Sequence, residues 1–160
     1  MKKNLTLLTG LVFALTVLIA IGCSNKNGEP TDESSPEKVK IRIGTVRENG
    51  EKLIKMKDTN GKKATGDDLK YLITDCKRNT TKEVVWNINL FSGIREIIEI
   101  NPITTTRIIF QNDPQIISSK RFILNLPDDL GSGEIQEKYE IKLRLRDTTI
   151  LIDPHLRIPD

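Results

Sequence analysis

Three groups of side chains have types that could do chemistry, and their spacing limits what that chemistry is. The first is rich in oxygen. Pro127-Asp128-Asp129-Leu130-Gly131-Ser132-Gly133-Glu134 places Asp128, Asp129 and Glu134 in one glycine-bearing stretch. Calcium takes oxygen ligands from carboxylates, carbonyls and water, so these three are the candidate metal-binding residues. Asp58-Thr59-Asn60-Gly61 with Asp67-Asp68 offers a second set. Neither has the spacing of an EF-hand loop, and Asp beside Gly also serves turn geometry. The second group is cationic. Lys142, Arg144 and Arg146 alternate along the chain, which on a strand puts them on one surface about 7 Å apart. That face suits an acidic protein or glycan partner; as the solvated side of a sheet, which Glu140 would share, it needs none. The third group is His155, Cys76 and Met56. A blue-copper site needs two histidines, and this sequence has one. Tetrahedral zinc is short of nitrogen and sulfur ligands for the same reason.

Nucleophilic catalysis has no local signature here. There is no Gly-x-Ser-x-Gly elbow, and no glycine-rich phosphate loop. No spacing ties His155 to a serine or to Cys76. The expectation is a protein without a cofactor and without catalytic residues. The alternative is an envelope enzyme, or a calcium- or small-ligand-binding protein, that works through Asp and Glu.

The N-terminus says where such a protein works. Lys2 and Lys3 precede an uncharged apolar run from Leu5 to Ile21. As a helix that run would reach roughly 25 Å, short for a bilayer core of about 30 Å. A positive start, a short apolar core and small residues at its end describe a secretory signal peptide. Ile19-Ala20-Ile21-Gly22-Cys23 resembles the lipobox of bacterial lipoproteins, with Ala20 standing where Leu is usual. The resemblance implies cleavage before Cys23, lipidation of Cys23 with acyl chains such as palmitate, and anchoring to a bacterial membrane on its periplasmic or cell-surface side. Removing residues 1–22 takes away Lys2 and Lys3 and lowers the formal net charge from +3 to +1. No net-charge argument for nucleic acid or an anionic surface survives that step.

Three regions follow: a lipoprotein signal peptide over 1–22, a lipidated cysteine and flexible tether over 23–38, and one domain over 39–160. Ser24 to Glu37 contains no aliphatic or aromatic side chain and is rich in Ser, Asn, Pro, Glu and Asp. Extended, it spans about 40 Å. The remaining chain is the size of one ordinary domain. With Cys23 acylated, Cys76 has no internal partner and reads as a small buried residue.

The elements that must position these groups are strands. Lys138 to Arg146 alternates strictly: Tyr139, Ile141, Leu143 and Leu145 on one face, charged residues on the other. Ile150-Leu151-Ile152 reads as a return strand stopped by Asp153-Pro154, giving a C-terminal hairpin. Val39–Ile43, Glu83–Leu90, Ile94–Ile100, Arg107–Phe110 and Lys120–Leu126 are strand-like in composition. Asn49-Gly50 and Asn60-Gly61 flank Glu51–Lys57 as hairpin turns. Thr65 to Cys76 has partial helical spacing and a Thr65–Asp68 pair like a capping box, but its strand neighbours favour a strand. Seven to nine short strands predict an all-β sandwich. Trp86, then Ser92-Gly93-Ile94 with Ile97, Ile98 and Ile100, the Tyr139 strand and the Ile152-Asp153-Pro154 ending are similar to small exported bacterial domains of immunoglobulin-like or cupredoxin-like shape. That resemblance spans most of residues 67–158 and implies a fold, with loop ends such as Ser92-Gly93 and Pro127–Glu134 as contact surface. The expected role is a lipid-anchored binding or structural module of the cell envelope.

Overall fold

The computed structural model describes residues 37–160; the signal segment, Cys23 and nearly all of the tether lie outside the described residues. Alternation of apolar and charged side chains builds the first strand, β1 (Glu37–Glu48). Val39, Ile41 and Ile43 are buried while Lys40 and Arg42 face out. Asn49 and Gly50 both take positive φ, 50° and 85°, which is the twist a two-residue hairpin turn requires. The chain returns as β2 (Glu51–Asp58), with Glu48 opposite Glu51, and then adds β3 (Lys63–Thr65). β5 (Thr81–Ile88) runs parallel to β1, and β8 (Arg121–Asn125) and β7 (Gln115–Ser118) complete a six-stranded sheet in the order β3-β2-β1-β5-β8-β7.

The second sheet is organised around β9 (Ile135–Arg144), where alternate residues from Ile135 to Leu143 are buried. β6 (Glu96–Pro102) pairs along one edge of β9. β10 (Thr149–Ile152) and β11 (His155–Ile158) pair along the other in unbroken register, followed by β4 (Ile73–Asp75). Asp153-Pro154 interrupts this paired strand because Pro has no N–H to donate, but it does not end it: the Tyr139 N–H donates to the Pro154 carbonyl at 3.1 Å. The predicted C-terminal hairpin therefore has one more strand than expected.

The two sheets pack face to face as an all-β sandwich, and the join is aromatic. Trp86 of β5 meets Tyr139 of β9 edge-on, centroids 5.6 Å apart, and its Nε1–H donates to the Tyr139 hydroxyl at 3.2 Å. Phe110 lies 5.4 Å from Tyr139 on the other side. Isoleucine, leucine and valine fill the rest, and burial of each large aliphatic side chain is worth about 1.5–3 kcal/mol.

Among the described residues eleven strands are present where seven to nine were expected. The additions are short or edge strands, β3, β4, β7 and β11, whose three or four residues carry too little alternation to be read. Two segments differ in kind. Thr65–Cys76 is not one strand: Gly66–Tyr71 is a 3-10 turn that buries Leu69, and only Ile73–Asp75 is extended. Thr65 makes no side-chain cap to it. Arg107–Phe110 is a turn, for a reason given below. Among the described residues no helix is long and apolar enough to cross a membrane.

Candidate functional site

Strand direction sorts the loops into two ends. Glu37 begins β1 at the first end, with the turns after β2, β4 and β8. The β1–β2 hairpin, the 89–95 loop after β5, the β7–β8 turn and the end of β9 form the second.

The acidic loop is at the first end. Asp128 pairs with Lys82 at 2.9 Å, and Lys82 holds its carboxyl below the ordinary value. Asp129 accepts the Gly131 N–H at 2.9 Å. The carbonyls that a cation would use are already occupied: the Arg78 guanidinium donates to the carbonyls of Leu130, Gly131 and Gly133. Glu134 is exposed and does not join the other two carboxylates. Among the described residues no three His, Cys, Asp or Glu side chains converge in a metal-binding group. Sequence proximity puts Asp128, Asp129 and Glu134 in one loop; in the fold Asp128 and Asp129 turn to separate partners and Glu134 is exposed.

The basic face of β9 is matched by its neighbour. Lys142 meets Glu99 at 3.0 Å and Arg144 meets Glu96 at 3.1 Å, both across the β6–β9 pair. Only Arg146, past the end of β9, lacks such a partner among the described residues. Register decided this, because β6 was read as a strand without knowing which strand it faces.

His155 and Cys76 are structural. The Cys76 thiol is fully buried and its pKa is pushed up to about 12 by burial, with Asp75 adding to the shift. A thiol of that kind supplies no thiolate near neutrality. His155 sits half-buried on β11, and burial, aided by Lys138, lowers its pKa below the ordinary value. Neither is paired with a nucleophile. At the same first end Asp75 receives Arg157 at 2.8 Å and Lys62 at 2.7 Å, and Arg157 does most to hold its carboxyl low.

One functional-looking group was invisible in the sequence. Glu137 is 2 % exposed, and its carboxylate accepts the backbone N–H groups of Ile108, Ile109 and Phe110. Those N–H groups are what a strand over 107–110 would have used, so the Glu137 bonds convert that segment into a turn. Three successive N–H donors around a carboxylate make an anion nest whose anion is internal. With both oxygens engaged, Glu137 holds a loop and is not a free general base.

At the second end the balance differs. Lys52, Arg95, Lys120 and Arg146 line one open cleft of about 490 Å³ together with Leu90, Gly93 and Ile94. No carboxylate lines it, and among the described residues none of the four cations is in an ion pair. Gly93 has φ of 74°, and the Lys52 ammonium occupies the space a Cβ there would need. The loop is held in place from behind, Thr45 Oγ1 donating to the Ser92 carbonyl at 2.6 Å and the Asn89 N–H to the Ile43 carbonyl at 2.8 Å. At its tip Leu90 is 75 % exposed and Phe91 fully so. No family model matches the chain, and no curated protein matches it. Any functional reading therefore starts from this geometry.

Proposed function

We propose that this protein is a non-enzymatic, lipid-anchored component of the bacterial cell envelope that acts as a binding module. The lipobox-like Ile19–Cys23 stretch and the polar tether support the anchor. The observation that carries the binding role is the second end of the sandwich, where four cations with no ion-pair partner among the described residues share a cleft with Leu90, next to the exposed Phe91 on a braced loop. Contiguous exposed apolar side chains mark contact surfaces where single ones do not, and Leu90 and Phe91 are adjacent in the chain. The partner surface belongs to the envelope, where an acidic protein, an acidic glycan or an anionic lipid headgroup layer has the required negative charge.

The anchor is tested by growing cells on an alkyne-bearing fatty acid and fractionating them. The expected result is label on the wild-type chain in the membrane fraction, and neither label nor membrane association in Cys23→Ser. An unlabelled wild-type chain recovered with soluble proteins overturns the anchored reading.

A further inference from the structure

The two features of the second end are different in chemistry and adjacent in space. Lys52 comes from β2, Arg95 from the 89–95 loop, Lys120 from the β7–β8 turn and Arg146 from beyond β9, so both sheets contribute to one cationic rim. Lys and Arg have aliphatic stems with a charged head, which lets such side chains sit at a lipid interface. Leu90 and Phe91 project from the same loop that carries Arg95. A soluble phosphate accounts for the cations but has no use for a fully exposed phenyl ring, and an acidic glycan stacks on such a ring but has no use for the exposed aliphatic Leu90 beside it. An anionic lipid surface accounts for both.

We propose that the Lys52–Arg95–Lys120–Arg146 cleft and the Leu90–Phe91 tip dock the domain on an anionic lipid surface, the cations against headgroup phosphates and the two apolar side chains in the interface. Each Lys or Arg held near an anionic leaflet strengthens binding about fivefold, and the apolar tip adds a contribution that salt does not screen. The site lies at the end of the sandwich opposite Glu37, where the tether joins, so the lipid surface it meets is engaged separately from the acyl chains on Cys23. This deepens the binding-module reading and rests on it for the choice of contact surface.

The test is flotation of the purified full chain with vesicles of phosphatidylcholine alone and of phosphatidylcholine with phosphatidylglycerol, at low and high salt. The N-terminal segment, with Lys2, Lys3 and its apolar run, contributes the same background to every variant, so the readout is the change in anionic preference between wild type and variant. The expected wild-type result is a clear preference for anionic vesicles. Lys52→Gln with Lys120→Gln lowers that preference about 25-fold, and Phe91→Ser lowers binding to anionic vesicles about tenfold while leaving its salt dependence intact. Circular dichroism of each variant confirms that it is folded. Equal binding to both vesicle types overturns the proposal, as does a preference that neither variant changes. Phe91→Ser that binds anionic vesicles as tightly as wild type, with soluble polyphosphate displacing both, also overturns it and assigns the cleft to a soluble polyanion. Failure of Cys23 acylation alone would remove the anchor and leave this difference untouched, so the two readings fail separately.

Discussion

The two ends of the sandwich handle charge in opposite ways. At the end that holds Glu37, charged groups answer one another: Lys62 and Arg157 on Asp75, Lys82 on Asp128, Lys77 on Glu37 at 3.2 Å, Arg78 on three carbonyls and Glu137 on three N–H groups. At the other end Arg144 meets Glu96, but four further cations share a cleft whose lining holds no carboxylate among the described residues. Charges satisfied internally hold loops in place and are no longer available to a ligand. Charges left unmatched repel one another, do little for the fold and keep their attraction for something outside it. Abundance of charge along the sequence therefore points to neither role; pairing decides.

The sharpest way to break this contrast is at Glu137. Glu137→Ala strands three backbone N–H groups, two of them in the core, and is expected to cost about 3 kcal/mol or more in urea denaturation, with hydrogen exchange rising first over 103–113. A loss too small to measure would mean that the nest does not hold the loop. Cys76 gives the next largest effect, read as a rate. Its burial predicts that iodoacetamide labels it only as denaturant unfolds the domain, so labelling should track the urea transition. Rapid labelling of native protein would show that the first end opens locally.

A smaller effect is expected at Asp75. Its folded pKa lies below the ordinary 3.8, chiefly because of the Arg157 bond, so its contribution to stability is complete above 3.8 and is lost as pH falls through the lower folded value. Asp75→Asn should flatten that part of the stability profile between wild type and variant, and identical acid limbs would argue against the triad. Weakest of all is the other end. Lys120→Gln, alone or with Lys52→Gln, is expected to leave the urea midpoint unchanged or slightly raised, since it relieves repulsion and breaks no pair. A clear fall in the midpoint would show that these cations serve the fold, and the comparison between the ends would collapse.

Much of the architecture was legible because strand periodicity is local. The strict alternation of residues 138–146, the Asn49-Gly50 turn and the apolar residues of 39–43 each report their own environment, and the sandwich follows from joining them. Arg107–Phe110 was misread for the complementary reason. Its β-rich composition is real, but a carboxylate 27 to 29 residues further along takes its N–H groups, and composition cannot report a distant competitor. The Thr65–Cys76 stretch held too few residues of either period to choose, and tertiary packing used it for a 3-10 turn and a short strand.

The same division applies to the candidate sites. By itself the sequence determined the fold class, the buried faces of the long strands, the shortage of nitrogen and sulfur ligands, and a lipobox-like N-terminus, because each depends on residue type at short range. Tertiary packing alone makes Lys142 and Arg144 meet Glu99 and Glu96, lets Arg78 fill the acidic loop, and brings Lys52, Arg95, Lys120 and Arg146 together beside Leu90. Those cations lie up to 94 positions apart in a chain of 160, from Lys52 to Arg146, and neighbours of that kind are set by strand register and sheet order, which no short stretch encodes.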